Sequence, residues 1–289
     1  MDLDQLRAFV AVVDHGTFDA AARTLHVTPS AISQRIKALE TAAGAVLVQR
    51  TKPVRPTERG LAVLRQARQL LHIADETVQQ LRAPDVSAAG RIRIPIVVNA
   101  DSIATWFAAA VTTIGTAGEV ELEVRRDDEH VTADLLRSGE VMAAVTTEPR
   151  PVQGCSVRRL GAMTYRARAA RSFVRRWFPD GVDRAALAAA PVVQFDRKDR
   201  MQIGLAERLG INGPLPQTFV PDSTQFVAAV RAGVGWGMVP DLQDPRDALV
   251  TLDPTWTAEV TLHWQVWRVA SDALDAVTAA VVSAAAGIR

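Results

Sequence analysis

Two helix-forming segments separated by a turn of a few residues, between Phe18 and Ala43, constrain the N-terminal part of this chain more than any other feature. Thr17 is placed to cap the first, Phe18 to Leu25, whose small run Ala20-Ala21-Ala22 lets another helix cross closely. After His26-Val27, Thr28 is a natural N-cap and Pro29 falls at the first helical position, where a missing N–H is harmless. The second segment runs to about Ala43 before Gly44, with Ile32, Ile36 and Leu39 facing inward. Its outward face carries Ser30, Ser33, Gln34 and Lys37, with Arg35 at the edge. This is a helix-turn-helix, whose second helix presents polar and cationic groups to a partner. Ahead of it, Asp2 and Gln5 resemble a capping box for a helix bearing Leu3, Leu6, Val10 and Val13, stopped by Gly16.

Leu47-Val48 and Val54 read as a short hairpin with Thr51-Lys52-Pro53 at its tip, a wing beside the second helix. From Thr28 to Arg68 the basic residues Arg35, Lys37, Arg50, Lys52, Arg55, Arg59, Arg65 and Arg68 are opposed only by Glu40 and Glu58. Such a basic stretch is the footprint of a surface that faces phosphates, although the net charge of the whole chain is only +1. Thr57 and Gly60 open a long helix to about Leu81, with Leu64, Ala67, Leu71, Ala74, Val78 and Leu81 in a narrow seam. The seam suggests pairing with a second copy; the alternative is docking on its own domain. Ala83 to Gly90 is rich in small residues around Pro84 and reads as a hinge.

Beyond the hinge, strand and helix patterns alternate. Strands are expected at Arg91 to Val98, Val120 to Arg125, Val141 to Thr146, Val192 to Phe195, Thr218 to Val220 and Gly237 to Val239. Helices are expected at Ser102 to Ile114, His130 to Ser138, Arg200 to Leu209, Ser223 to Ala232 and Asp272 to Ala286. The alternation predicts mostly parallel sheets wrapped by helices, in two lobes around a cleft. The fold class is thus an N-terminal all-α winged helix-turn-helix (1–60) with a linker helix (57–83) and a hinge (84–90). A C-terminal α/β, two-lobed, periplasmic-binding-protein-like domain follows (91–289). Its first lobe comprises about 91–161 and 265–289, its second about 162–264.

Several classes are disfavoured. There is no apolar run long enough to span a membrane, and Met1-Asp2-Leu3-Asp4-Gln5 does not open a signal peptide, which predicts a cytoplasmic protein. Cys155 is the only cysteine, so no internal disulfide forms. His15, His26, His72, His130 and His263 are dispersed without metal-binding spacing, and no phosphate loop or nucleophile elbow occurs. Neither an enzyme nor a cofactor or metal site is expected.

Residues 1–60 resemble the DNA-binding domain of LysR-type transcriptional regulators. The match runs from Gly16-Thr17-Phe18-Asp19-Ala20-Ala21-Ala22 to Leu25 and from Thr28-Pro29-Ser30-Ala31-Ile32-Ser33-Gln34-Arg35 to Glu40, with Gly44, Leu47, Arg50, Thr57 and Gly60. Val48, Pro56 and the order Gln34-Arg35 depart from the usual pattern. The whole chain resembles one branch, the ArgP and LysG kind, through Val98-Asn99-Ala100-Asp101-Ser102, Thr105-Trp106, Asp127-Asp128-Glu129, Ala143-Ala144-Val145-Thr146, Val192-Val193-Gln194-Phe195-Asp196 and Trp264 to Arg268. This resemblance implies a homodimer or homotetramer, a basic amino acid as effector, and an amino-acid exporter gene as target. RNA polymerase is a further partner expected of such an activator.

Phosphate contacts position a regulator, and base-edge contacts specify its site. Arg50, Lys52 and Arg55 are nominated for phosphates. Thr28, Ser30, Ser33, Gln34, Arg35 and Lys37 are nominated along the recognition helix, with Gln34 suited to adenine and Arg35 to guanine. For the effector, Asn99, Asp101 and Ser102 lie between a strand and a helix, where Ser102 could hold an α-carboxylate and Asp101 an α-ammonium. Asp101 or Ser102 as a plain helix cap is the alternative. Asp128 and Glu129 could receive a cationic side chain or cap the next helix. Thr146, Phe195, Asp196, Asp222 and Ser223 lie at other strand ends, and Trp106 and Trp236 either wall the cleft or fill the core. Leu64, Leu71 and Val78 are nominated for dimerisation. An exported solute-binding protein and an effector-independent architectural DNA binder are the competing functions, besides a regulator with a different effector.

Overall fold

The computed structural model describes residues 1–81, 91–126, 129–246 and 248–288, with the side chains of 129–131 outside that description. The hinge expected at 84–90 and the nominee Asp128 lie outside the described residues, and of Glu129 only the backbone is described.

The N-terminal unit is helical: α1 (Leu3–His15), α2 (Phe18–Thr24), α3 (Pro29–Ala43), a two-stranded wing of β1 (Val48–Gln49) and β2 (Arg55–Pro56), and the long α4 (Glu58–Gln80). Local chemistry explains the starts. Asp2 forms the capping box with Gln5, Thr17 accepts from the Ala20 amide, Thr28 from Ala31, and Thr57 from Gly60. Leu6, Phe9, Val12, Ile32, Ile36 and Leu39 form one core, joined by Leu47 from the wing. Leu64, Ala67 and Leu71 of α4 complete it. The seam therefore divides. Leu64 and Leu71 are 1% and 8% exposed within their own domain, whereas Val78 is 49% exposed. Placing Leu64 and Leu71 at a subunit contact is thus corrected: α1 packs along α4, and both leucines belong to the core it shares with α4.

The C-terminal unit continues with β3 (Ile92–Val98), α5 (Ala100–Ile103), α6 (Phe107–Ala117), β4 (Val120–Arg126), α7 (Glu129–Ser138), β5 (Ala143–Thr146) and β6 (Cys155–Ala169). Then come α8 (Arg171–Trp177), α9 (Arg184–Ala189), β7 (Val192–Gln194), α10 (Met201–Arg208), β8 (Gln217–Phe219), α11 (Ser223–Arg231) and β9 (Gly237–Pro240). The chain closes with β10 (Val250–Thr251), β11 (Thr257–Trp267) and α12 (Asp272–Ala284). The β3 strand pairs in parallel with β4 and β5, and β7 with β8.

The expectation of mostly parallel sheets holds only in part. The two longest strands, β6 and β11, are antiparallel, and sequence reasoning passed over both. Together they run from the first lobe, where β11 pairs with β5, into the second, where β6 pairs with β9 and β10. Alternation in Met163-Thr164-Tyr165-Arg166-Ala167 was the available signal. Arginines at Arg158, Arg159, Arg166 and Arg168 interrupt the apolar pattern and masked it. The helix expected from Ser102 to Ile114 is broken by a turn at Ala104–Trp106 into α5 and α6.

Candidate functional site

Two surfaces carry the chemistry. On the first, Ser30, Gln34 and Lys37 stand exposed along α3, and Ser33 is half-buried. Thr28 is occupied locally: its hydroxyl accepts from the Ala31 amide at 3.2 Å and pairs with Ser30 Oγ at 2.9 Å. Arg35 does not project freely; its guanidinium donates to Asp4 Oδ2 of α1 at 2.8 Å. Glu40, one of the two acids within the basic stretch, is turned to the wing, accepting from the amides of Leu47 (2.8 Å) and Val48 (3.3 Å). That contact removes an acid from the outer face and ties the wing to α3. Arg50, Lys52 and Arg55 are exposed there, with the Arg50 guanidinium 5.4 Å from the Phe18 ring centroid.

The second surface is a cleft of about 640 Å³ between the lobes, lined by Asn99, Asp101, Arg126, Tyr165, Phe195, Asp196 and Asp199 among others. Asn99 caps α5, its side chain accepting from the Ser102 amide at 2.9 Å, which frees Asp101 from capping. Asp101 instead bridges the lobes. It accepts from Tyr165 Oη at 2.6 Å and from Ser223 Oγ, which in turn accepts from Gln243 Nε2. A second bridge joins Arg126 on β4 to Asp222 at 3.6 Å, while Asp222 also caps α11 through the Gln225 amide.

Asp196 accepts from the amides of Lys198 (2.7 Å) and Asp199 (2.9 Å), folding this loop so that Asp199 turns into the cleft. Burial holds the Asp199 carboxyl above its ordinary value; amide hydrogen bonds from Met201 and Phe195 oppose this, and Asp196 and Asp101 add to it. Three carboxylates thus share one cleft with Arg126 and Lys198. Such a site can hold a ligand with more than one cationic group and a carboxylate.

Among the nominees, Asn99, Asp101, Phe195 and Asp196 line the cleft, and Asp222 and Ser223 bridge it. Four are buried away from the cleft instead. Ser102 is fully buried, and its hydroxyl accepts from Trp106 Nε1 at 3.1 Å, so the pair belongs to the core beneath α5. Trp106 packs edge-on against Phe107 there. Thr146 is buried and holds the Glu148 amide at 3.1 Å, while its neighbour Thr147 lines the cleft. Trp236 is core as well. Sequence reasoning missed Arg126, Tyr165 and Asp199. Tyr165 lies on an unrecognised strand, whereas Asp199 had a signal in the Asp196–Asp199 spacing before α10.

Cys155 is buried, and burial pushes its thiol up to about 11, leaving it unreactive at neutral pH. Among the described residues no cluster of His, Cys, Asp and Glu is arranged to hold a metal, and no helix is long and apolar enough to cross a membrane.

A winged helix-turn-helix carried on a long helix beside a two-lobed cleft defines a class, the DNA-binding proteins governed by a small ligand. Residues 3–61 match the bacterial regulatory helix-turn-helix protein, lysR family, and residues 88–286 match the LysR substrate binding domain. The chain belongs to the LysR family of regulators. It is 43% identical to the transcriptional regulator LysG of Mycobacterium tuberculosis over 100% of this chain and 95% of that protein. The crystal structure of ArgP from Mycobacterium tuberculosis superposes with a TM-score of 0.87 at 43% identity, covering 100% of this chain and 98% of that one. Full-length LysG from Corynebacterium glutamicum with bound effector Arg superposes at 0.81, with 36% identity over 99% and 98% of the two chains.

Proposed function

We propose that this protein is a cytoplasmic regulator that binds operator DNA as a homodimer or homotetramer and controls an amino-acid exporter gene in response to a basic amino acid. The observation that carries this reading is the acidic cleft. Asp101, Asp196 and Asp199 lie together with Arg126, so a ligand bearing an α-carboxylate, an α-ammonium and a side-chain cation meets complementary charge at each point. Neutral or acidic amino acids would leave the carboxylates uncompensated. The relative solved with bound Arg supports the same class of ligand. On the DNA side, the exposed Gln34 reads base edges while Arg50, Lys52 and Arg55 meet phosphates. RNA polymerase is the partner to which the switched state is reported.

The test is thermal unfolding and calorimetry of the full chain against the proteinogenic amino acids. Arginine, lysine or histidine should stabilise it by about 2.7 kcal/mol at a hundredfold excess over Kd. Leucine and glutamate should have no effect, and an equal response to all ligands would refute the assignment.

A further inference from the structure

The long helix α4 and the first lobe meet through a set of polar contacts that neither the DNA face nor the cleft uses. His72 and Glu76 lie one helical turn apart and are only 9% and 7% exposed, although each is polar. His72 Nε2 is 2.8 Å from Ser271 Oγ, and Ser271 is the N-cap of α12. Glu76 Oε1 accepts from the Ala273 amide at 2.9 Å, in the first turn of the same helix, and its other oxygen is 3.4 Å from His72. Gln80 Nε2 donates to Asp272 at 3.2 Å. An acidic side chain at a helix N-terminus is favourably placed, because the first amides of a helix lack partners within it.

One and two turns earlier, Arg68 donates to the Ser138 carbonyl at 2.7 Å and ion-pairs with Asp14 of α1, while Arg65 donates to the Gln153 carbonyl. The first lobe makes room for both arginines with glycines. At Gly139 an added Cβ would lie 3.2 Å from Arg65 Cα and 3.3 Å from Arg68 Cδ, and at Gly154 it would lie 3.2 Å from the Arg65 guanidinium. Both have positive φ, 78° and 85°.

The same lobe carries one wall of the cleft. Asp101 sits on α5, which leads into α6, and α6 packs along α12. We infer that Arg65, Arg68, His72 and Glu76 are positioning residues that latch the DNA-binding unit to the first lobe, so that ligand binding at Asp101 reaches α4 through α6 and α12. The DNA-binding unit then turns with the first lobe, and the second lobe moves against both. This inference rests on the proposed basic amino-acid effector and adds the route by which its binding is felt.

Hydrogen exchange of the full chain with and without arginine tests it, because the cleft and the latch are read in one experiment. In the wild type, saturating arginine should slow exchange around residues 99–103 and shift exchange in residues 70–80 of α4 by at least about fivefold. Glu76→Ala should keep the effect at 99–103 and lose the one at 70–80. Glu76→Gln, which retains both shape and an acceptor for the Ala273 amide, should restore it, whereas Glu76→Met, which retains the length without an acceptor, should not, a difference that packing alone would not give. Should Glu76→Ala not fold, Arg68→Ala, at the other end of the latch, is expected to show the same uncoupling. An arginine effect on α4 that survives in Glu76→Ala and Arg68→Ala overturns the latch and leaves the effector assignment standing. Absence of any arginine effect in the wild type, even around 99–103, overturns the effector assignment and the latch with it.

Discussion

Asp199 illustrates how one side chain can oppose stability and serve binding. Its folded pKa is raised, by burial first and then by Asp196 and Asp101, against the amides of Met201 and Phe195. For an acid so shifted, the contribution to stability is fully present below the ordinary value of 3.8 and is lost as pH rises through the raised value. The charged form of Asp199 is therefore unfavourable in the ligand-free protein, and a cationic ligand relieves it. Asp199→Asn should raise the melting temperature of the free protein at pH 7 and weaken arginine binding at least tenfold, equivalent to about 1.4 kcal/mol. Wild-type affinity for arginine should also fall as pH drops through the raised pKa, which calorimetry across acidic pH checks. On the DNA face, Gln34→Ala should cost about 1–3 kcal/mol at the specific operator and blur discrimination. Arg50→Ala should weaken all sites alike and reduce the salt slope by about one. Arg35 is a different case, because its ion pair with Asp4 must be exchanged for a base contact.

At the scale of elements, α4 serves two masters along its length. The face of α4 that bears Leu64, Ala67 and Leu71 belongs to the N-terminal core, so Leu71→Asp would bury an unpaired charge and cost about 3–5 kcal/mol, unfolding the winged unit. Leu70, Ile73 and Val78 of α4, and Leu81 just beyond it, are exposed. Val78→Asp should therefore leave the winged unit folded and shift the oligomer toward monomer in analytical ultracentrifugation. A Val78→Asp protein that stays associated would place the subunit contact elsewhere. The junction of wing and α4 is tighter. A Cβ on Gly60 would lie 2.1 Å from the Leu47 carbonyl oxygen, which already accepts from the Thr57 amide at 2.9 Å. Gly60→Ala should push the wing off α4, cost about 1–3 kcal/mol by overpacking, and lower DNA affinity without touching a basic residue.

Across the whole molecule, the lobes are held together before any ligand arrives, by Asp101 with Ser223 and by Arg126 with Asp222. Bridges already formed between the lobes lower the free energy a ligand must supply to bring them together, since apparent affinity scales with the fraction of competent protein. Ser223→Ala should therefore weaken arginine binding while preserving the cleft's charge. Every tryptophan, from Trp106 to Trp267, lies in the ligand-binding domain, so intrinsic fluorescence reports the titration. In Ser223→Ala the fluorescence change should reach the same end point at higher arginine concentration; an unchanged midpoint would show that the bridge carries no closing energy.

The winged unit was legible in the sequence nearly residue by residue. Caps at Asp2, Thr17, Thr28 and Thr57 and the inward row Ile32, Ile36 and Leu39 are local signals, set by hydrogen bonds and spacings within a few residues. The cleft was legible only where a strand end announced it, at Asn99, Asp101, Phe195, Asp196, Asp222 and Ser223. Arg126, Tyr165 and Asp199 converge from segments far apart in the chain, so no local pattern specifies their meeting. The same holds for the seam of α4: its period is written in the sequence, but whether Leu71 faces α1 or a second subunit depends on where α1 packs. Periodicity determines that a face is apolar, and tertiary packing decides what covers it, because hydrophobic burial has no directional preference for one partner over another.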